Sequence, residues 1–174
     1  MIRLAHTGEL DAASLRTIRE LLDTAFAGSF SDADWANSLG GVHALAFDGE
    51  TLVGHAALVQ RRLLLDGRVL RAGYVDGVGV REDRRRRGIA GALMAPLEKL
   101  LRGYDLGVLS ASSAGVALYT GRGWVAWEGP TYVLSPSGIL RTADDDGSVY
   151  VFRGELEFDL TAPLTCDWRD GDVW

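Results

Sequence analysis

Two Asp-Gly pairs, each lying between apolar runs, restrict the fold of this chain more than any other feature of its sequence. Asp48-Gly49 and Asp66-Gly67 separate three aliphatic stretches over residues 42–47, 52–65 and 68–80. Asp-Gly favours the tight turns that join neighbouring antiparallel strands. The sequence therefore predicts three antiparallel strands that follow one another along the chain.

Helical spacing of apolar residues flanks these strands on both sides. Apolar side chains recur every three to four positions over residues 11–26 and again over residues 88–102, and Asp32 is a candidate cap for a short helix through about Leu39. The further elements predicted are a buried strand at 106–109, a short helix around 116–121, strands over 124–134 and 149–158, and an irregular excursion over 135–147. This order predicts a mixed sheet with helices on its faces, in an α/β or α+β domain.

Length and cysteine content restrict the class of protein. A chain of 174 residues fits one domain, predicted here to span residues 1–174. No apolar stretch approaches the length of a membrane helix and the N-terminus has no apolar signal region, so we expect a cytoplasmic protein without membrane contact. One cysteine, Cys166, and three histidines, His6, His43 and His55, provide no cluster at metal-ligand spacing, and no metal is predicted.

The negative charge is concentrated at the C-terminal end. Residues 144–174 hold nine acids and two arginines, a net charge of −7, whereas the first 143 residues carry +1. This asymmetry predicts a cationic partner and argues against nucleic acid, although a solvated acidic tail is the simpler interpretation. Because Trp168 and Trp174 lie among these acids, we expect the segment to be ordered and to contribute to a substrate site.

The stretch from Tyr74 to Leu93 carries the clearest chemistry. A predicted strand leads into a basic turn with Gly88, and the turn opens a helix. Free N–H groups at a helix N-terminus bind a pyrophosphate, and glycine permits its close approach. A surface charge run or a nucleic-acid patch is the alternative for the four arginines at 84–87. The spacing matches neither a Walker A loop nor a dinucleotide-binding fingerprint.

Arg85-Arg86-Arg87-Gly88-Ile89-Ala90 resembles the Arg/Gln-x-x-Gly-x-Gly/Ala motif of the GCN5-related N-acetyltransferase (GNAT) superfamily. The wider chain is similar to the aminoglycoside 2′-N-acetyltransferases within it. The segments that carry this resemblance include Gly73-Tyr74-Val75-Asp76-Gly77-Val78, Asp144-Asp145-Asp146-Gly147, Cys166-Asp167-Trp168-Arg169 and Gly171-Asp172-Val173-Trp174. Together with shorter matches they extend over nearly the whole chain.

The resemblance implies a GNAT fold, with a mixed, mostly antiparallel sheet whose strands splay at the acetyl-coenzyme A site. It implies acetyl-coenzyme A as co-substrate, no metal, and direct transfer to a polycationic small molecule, the aminoglycoside. Superfamily members are often homodimers, and an exposed β-edge in the C-terminal half is a candidate contact. The matching cofactor positions are Val78, Val80, Arg85, Arg86, Arg87, Gly88, Ile89, Ala90 and Gly91.

The resemblance also assigns catalytic roles to four residues. The backbone N–H of Val78 matches the group that polarises the thioester carbonyl, and Tyr119 matches the tyrosine that protonates the departing thiolate. Asp76 stands where the family has a glutamate that acts through water, and Ser110 matches a serine near the acceptor. The simpler interpretations are that Tyr119 only packs, that Asp76 is a structural carboxylate on a strand, and that Ser110 is a hydroxyl at the end of a strand.

The acceptor carries several ammonium groups, so its site is expected to be rich in carboxylates. Asp34, Asp145, Asp172 and the α-carboxylate of Trp174 match the substrate-contacting acids of the family, with Asp76 and Ser110 beside them. Asp34 would otherwise be a helix-start residue. Ser29 stands where the family motif has an aspartate, so it offers a hydrogen bond without a charge.

Three further hypotheses remain open from the sequence. The acceptor is another polyamine, an amino sugar or a cell-envelope precursor; the domain binds acyl-coenzyme A as a sensor without turnover; or, least favoured, the arginine run binds nucleic acid. A covalent acetyl-enzyme is not expected, because the acids around Cys166 would raise the pKa of its thiol.

Overall fold

The computed structural model describes residues 1–154 and 157–174, which cluster into two compact units. Unit 1 comprises Met1–Val59 and Val75–Leu100, and unit 2 comprises Gln60–Tyr74 and Leu101–Trp174. Two long strands, β3 (Thr51–Leu65) and β4 (Arg68–Val80), contribute residues to both units. The prediction of a single domain stays a prediction.

The other elements complete the mixed sheet and its helices. The remaining strands are β1 (Ile2–His6), β2 (Val42–Asp48), β5 (Leu106–Ser110), β6 (Val125–Ala126), β7 (Thr131–Ser135), β8 (Gly138–Arg141), β9 (Val149–Arg153) and β10 (Leu164–Asp167). The α-helices are α1 (Ala12–Ala25), α2 (Asp32–Asn37), α3 (Ile89–Leu100) and α4 (Val116–Thr120). The chain thus has the predicted class of fold.

In unit 1 the strands run in the order β1, β2, β3, β4. β1 and β2 pair antiparallel, and β2 pairs antiparallel with β3, with Leu45 opposite His55 and His43 opposite Ala57. This register places His43 and His55 on one face of two neighbouring strands, as diagonal neighbours. The prediction of a β2–β3–β4 meander is confirmed, and β1, which the sequence analysis missed, extends it.

Helix α1 supplies the main apolar cluster of unit 1. Asp11 caps the helix by accepting a hydrogen bond from the Ser14 N–H, and the apolar stripe begins one turn later. The buried members of this cluster are Ile18, Leu21, Leu22, Phe30, Leu45 and Leu52. Helix α3 packs elsewhere on the strands of the unit, with Ile89 and Leu93 against the bare backbone of Gly54.

In unit 2 the strands follow the order β6, β9, β5, β4, β3, β10, β7, β8. The β4–β5 and β10–β7 pairs are parallel, whereas β10–β3, β5–β9, β6–β9 and β7–β8 are antiparallel. Strand β10, from the acidic segment, lies between β3 and β7 and is almost wholly buried. The part of the acidic segment that forms β10 is therefore ordered, as the sequence predicted for the segment.

Several predicted boundaries were wrong for identifiable reasons. Ser31 rather than Asp32 caps α2, because its hydroxyl accepts from the Asp34 N–H while the Asp34 carboxylate accepts from the Ser31 N–H. The strand predicted over 124–134 is two strands, since Pro130 between them has no N–H to donate to a ladder. The predicted excursion contains β8, which forms a hairpin with β7.

The strand predicted over 149–158 ends at Arg153, and two of its residues, Glu155 and Leu156, lie outside the described part of the chain. Among the described residues, none of the helices has both the length and the apolar character needed to cross a bilayer.

Candidate active site

Unit 1 contains the strand, turn and helix that the sequence predicted as a pyrophosphate site. Helix α3 begins at Ile89, directly after Gly88, whose φ is +78° and whose missing side chain leaves open space. The side chains of Arg86 and Arg87 are exposed, and Arg87 and Ile89 line part of a cavity of about 310 Å³. Unpaired N–H groups of a helix's first turn together with exposed guanidinium groups suit a doubly charged pyrophosphate.

The other two arginines of the run are bound to the protein itself. Arg85 donates from Nη2 to the carbonyl of Ala25 at 2.8 Å and from Nε to the carbonyl of Val80 at 3.3 Å. Arg84 forms an ion pair with Asp48 at 2.9 Å. These bonds fix the turn to the end of α1 and to β2, so the four arginines have different tasks and do not form a uniform charge run.

The backbone of β4 is irregular where the candidate acetyl site is expected. Gly77 has a φ of +56°, a left-handed conformation, and a Cβ at this position would lie 3.2 Å from Ser38 Oγ and 3.3 Å from His55 Cε1. Both the dihedral angle and the crowding therefore require glycine. The preceding Asp76 is half-buried, and its Oδ1 accepts a hydrogen bond from the Gly77 N–H at 2.9 Å.

Two buried histidines form a hydrogen-bonded pair that contacts the backbone of Gly77. His55 Nδ1 lies 2.7 Å from the Gly77 carbonyl oxygen, and His55 Nε2 lies 2.8 Å from His43 Nδ1. Burial lowers the pKa of His43 to about 4 and that of His55 to about 3, so both rings are neutral at neutral pH. The sequence analysis considered these histidines only as metal ligands; each lies in a strongly apolar strand, and that pattern indicates a buried neutral ring.

The acceptor candidates of unit 1 also make local bonds. The Asp34 carboxylate accepts from both the N–H and the hydroxyl of Ser31 at 2.8 Å, as the third residue of α2. Ser29 is exposed and donates to the carbonyl of Phe26 at 2.7 Å. Asp34 therefore has the helix-start role that the sequence offered as the alternative, and a role toward the acceptor stays a prediction.

Unit 2 brings together four of the predicted acceptor residues through short links. Ser110 Oγ, at the end of β5, donates to Ser148 Oγ at 3.3 Å, and that hydroxyl donates to the carbonyl of Asp145 at 2.8 Å. Burial and the negative charge of Asp172 both raise the pKa of Asp145, whereas a hydrogen bond with Thr142 lowers it. A cation that binds between two carboxylates removes their mutual repulsion, so such a pair favours binding of a positively charged group.

The end of the chain is joined to the same group. The Trp174 side chain is buried, and its indole N–H donates to Thr142 Oγ1 at 3.0 Å. Arg169 donates from Nε to the carbonyl of Asp172 at 2.7 Å and from Nη2 to a Trp174 oxygen at 3.2 Å. Thr142, Ser148 and Arg169 therefore connect the predicted residues, and the sequence analysis assigned none of them a role.

An arginine pair holds the C-terminal segment against β4. The guanidinium groups of Arg61 and Arg169 lie 4.9 Å and 4.8 Å from the centre of the Tyr74 ring, within range of cation–π attraction. Arg61 is almost fully buried and donates to Asp167 Oδ1 at 2.8 Å and to the Val173 carbonyl at 2.7 Å. Its place among alternating buried residues of β3 was the signal in the sequence that it must be paired.

Tyr119 lies on α4 and is mostly buried in unit 2. Its ring packs edge-on against Trp124, with centroids 6.3 Å apart, and Gly115 leaves room for it because a Cβ there would lie 2.8 Å from the ring. Packing, which the sequence offered as the alternative, is therefore part of the role of Tyr119. Its predicted function as a proton donor stays a prediction.

Cys166 has the high thiol pKa that the sequence analysis expected, but for a different main reason. Burial raises the pKa of this thiol to about 11, with Asp167 as a smaller contribution in the same direction and Arg61 acting against it. A thiol of this kind is a poor nucleophile at neutral pH. Among the described residues, no group of histidine, cysteine, aspartate or glutamate side chains is arranged to hold a metal ion.

The predicted site residues thus fall into two groups. Ser29, Asp34, Asp76, Val78, Val80 and residues 85–91 belong to unit 1, and Ser110, Tyr119, Asp145, Asp172 and Trp174 belong to unit 2. Within unit 2, hydrogen bonds or direct charge interaction connect Ser110, Asp145, Asp172 and Trp174. The catalytic, cofactor-binding and acceptor-binding roles of these residues stay predictions.

Comparison with known proteins gives the family. A family model described as an acetyltransferase (GNAT) domain matches residues 7–126. An aminoglycoside 2′-N-acetyltransferase from Mycolicibacterium fortuitum is 50% identical over 177 aligned residues, which cover 99% of this chain and 91% of the relative.

Solved structures agree on the fold. A GNAT family acetyltransferase from Brucella melitensis, determined in complex with acetyl-CoA, has a TM-score of 0.62 at 16% identity and is matched over 94% of each chain. Eis1 from Mycobacterium abscessus has a TM-score of 0.59 at 25% identity over 71% of this chain, which spans only 31% of Eis1.

Proposed function

Because the chain belongs to the acetyltransferase (GNAT) domain family, we propose that it transfers the acetyl group of acetyl-coenzyme A to the 2′-amine of aminoglycosides. The observation that carries this proposal is the similarity to the relative from M. fortuitum, which is named an aminoglycoside 2′-N-acetyltransferase. That relative is 50% identical to this chain, and the match covers 99% of this chain. Two features support the proposal independently: the strand–turn–helix of unit 1 suits a pyrophosphate, and the carboxylates of unit 2 suit a polycation.

Acetyl-coenzyme A, when bound, supplies an activated acetyl group. In the proposed arrangement, the exposed Arg86 and Arg87 and the first N–H groups of α3 hold its pyrophosphate, whereas Arg85 holds the turn itself in place. Val78 and Val80, at the end of β4, lie beside the acyl portion. The N–H of Val78 donates to the thioester oxygen as negative charge develops there.

Acceptor binding in the proposal depends on carboxylates. Asp145 and Asp172 attract the ammonium groups of the acceptor, together with Asp34, the hydroxyls of Ser29 and Ser110, and the carboxylate of Trp174. A cation that binds between Asp145 and Asp172 relieves the repulsion that raises the pKa of Asp145. This arrangement favours a substrate with several positive charges.

Proton transfer in the proposal needs no strong base. Neighbouring ammonium groups of an aminoglycoside lower one another's pKa, so a fraction of the 2′-amine is neutral near pH 7. Asp76 accepts the amine proton through water, and the Gly77 N–H, which donates to Asp76 Oδ1 at 2.9 Å, orients the carboxylate. Tyr119 protonates the departing thiolate, and transfer is direct because the buried thiol of Cys166 is a poor nucleophile.

The cellular location and the assembly belong to the same proposal. We propose a cytoplasmic enzyme that binds neither nucleic acid nor membrane, which the net charge of −7 over residues 144–174 supports. A homodimer is proposed through β8, the last strand in the order of unit 2, where Ile139 and Leu140 are exposed beside Leu134 of β7.

Kanamycin B and kanamycin A provide a matched pair of acceptors, because they differ only in an amine or a hydroxyl at the 2′ position. The experiment follows release of free coenzyme A by the purified protein with each compound and with spermidine. Turnover of kanamycin B, with kanamycin A at least about 100-fold slower, is the expected result, since the second compound lacks the nucleophile.

Equal turnover of the two kanamycins would move the reaction to another amine. Faster turnover of spermidine would favour a general polyamine acetyltransferase. Binding of acetyl-coenzyme A without turnover of any acceptor would contradict catalysis and favour a sensor domain.

A further inference from the structure

A chain of hydrogen bonds runs through the interior of unit 1 to the backbone of β4. The Gly40 N–H donates to Thr7 Oγ1 at 2.9 Å, and Thr7 Oγ1 lies 2.7 Å from His43 Nε2. His43 then contacts His55, and His55 contacts the Gly77 carbonyl. The side chains of both histidines have no exposed surface. No step of the proposed reaction uses the side chains of Thr7, His43 or His55.

The Gly77 end of this hydrogen-bond chain fixes which nitrogen of each ring carries the proton. The Gly77 carbonyl can only accept, so His55 carries its proton on Nδ1 and accepts at Nε2. His43 must then donate from Nδ1 and accept at Nε2, where the Thr7 hydroxyl donates across 2.7 Å, a shorter contact than the 3.3 Å from Thr7 Oγ1 to the Gly41 carbonyl. All bonds point in one direction, toward Gly77. Since a carbonyl cannot pass a proton on, the chain holds the backbone and does not conduct protons.

The group that this chain holds is the peptide between Gly77 and Val78. The C=O of Gly77 and the N–H of Val78 belong to one planar peptide unit, which is trans because the described chain has no cis peptide bonds. In a trans peptide these two groups point in opposite directions. The Val78 N–H is therefore directed away from His55.

We propose that His55, supported by His43 and Thr7, is a positioning residue that sets the direction and the donor strength of the Val78 N–H. The inference rests on the proposed function, in which this N–H donates to the thioester oxygen. A hydrogen bond accepted by the carbonyl polarises the whole peptide and makes its N–H a better donor, and serial bonds reinforce one another. Glycine at 77 has few conformational restrictions of its own, so an external contact must hold this peptide.

Two amide variants separate positioning from packing. In His55→Asn the side-chain nitrogen takes the place of Nδ1 and still donates to Gly77, but the contact with His43 is lost. In His55→Gln the amide reaches toward His43 but leaves nothing at the place of Nδ1. The measurements are kcat, the KM for each substrate, and the free energy of unfolding.

The expected result for His55→Gln is a kcat lowered by about 10- to 100-fold, because a weakened oxyanion donor acts on the transition state. Its KM values stay within about two-fold of those of the wild type. His55→Asn keeps kcat within about three-fold, although it is the less stable of the two, since it leaves a buried His43 N–H without an acceptor. If kcat follows stability instead, or if both variants keep full activity, the positioning role is wrong.

Nitrogen NMR on the wild-type protein tests the same chain without any assay of activity. The two-bond ¹⁵N–¹H correlations of both rings are expected to show the proton on Nδ1, and His55→Gln should shift the ¹⁵N resonance of the Val78 amide more than His55→Asn does. A proton on Nε2 of His55 would overturn the inference. Because these spectra need no turnover, they judge the inference even if the enzyme acetylates none of the acceptors.

Discussion

The two units hold their candidate site residues by different physical means. In unit 1, neutral hydrogen bonds among buried side chains fix a single peptide, from Thr7 through His43 and His55 to Gly77. In unit 2, the cationic side chains of Arg61 and Arg169 fix a segment rich in carboxylates. A neutral network gives direction to a backbone dipole without placing a charge near the proposed position of the thioester. A cationic clamp, in contrast, compensates part of the repulsion among acids that must stay ionised to bind a polycation.

Acid should weaken the neutral network first. The folded pKa values of His43 and His55 are about 4 and about 3, below the ordinary value of 6.5. Between pH 6.5 and about 4 the unfolded chain therefore binds more protons, and stability rises with pH in that window and is flat above it. We expect the free energy of unfolding to fall by about 2–4 kcal/mol from pH 7 to pH 5.

Urea titrations at several pH values measure this loss, and His55→Asn should have a shallower slope because it has one buried histidine fewer. The ion pair between Arg141 and Asp146 provides the contrast in unit 2. It lowers the pKa of Asp146, so its contribution is present above the usual aspartate pKa and is lost only as the pH falls below it. Stability that is constant from pH 7 to pH 5 would show that the histidines are not buried as neutral rings.

Removal of the central cation should weaken the charged clamp next. Arg61→Met keeps the apolar bulk but removes the guanidinium donor of the Asp167 carbonyl and leaves the Val173 carbonyl with only the weak thiol donor of Cys166. We expect a loss of about 2–3 kcal/mol in unfolding free energy. Arg62→Met is the matched control, because its side chain is exposed and only its backbone N–H contacts Asp167. Equal stability of the two variants would contradict the clamp.

The backbone at Gly77 gives a smaller effect that is specific to unit 1. Gly77→Ala forces a Cβ into a left-handed residue beside Ser38 and His55, at a cost of about 1–2 kcal/mol beyond that of Gly49→Ala. Gly49 has a similar φ of +60°, but a Cβ there meets open space, so the control reports the dihedral angle alone. Thermal unfolding of the two variants measures the difference, and equal midpoints would mean that Gly77 is not crowded.

Much of the fold followed from local patterns in the sequence. The Asp-Gly pairs placed β3 and β4 within one residue of their observed bounds, and the apolar period placed α1 and α3 within two residues. Strand β10 was missed because Leu164–Asp167 is short and is a strand only through pairing with β3 and β7, which are distant in sequence. Long-range pairing of this kind leaves no local signal.

The candidate site divides in the same way. The turn of residues 85–91 was found because a motif with a fixed spacing marks it. The link between His43 and His55 was not found, because it depends on the register that sets Leu45 opposite His55. Arg61 had a detectable signal, an arginine at a buried position of a strand, but its partners Asp167 and Val173 are more than a hundred residues away.

The position of the acetyl group on its product tests the central claim most directly. Kanamycin B is incubated with acetyl-coenzyme A and the purified protein, and two-dimensional NMR of the product identifies the acetylated nitrogen. The account predicts a single acetyl group on the 2′ nitrogen of kanamycin B and turnover of kanamycin A that is at least about 100-fold slower. Acetylation at any other amine, or equal conversion of both compounds, would contradict it.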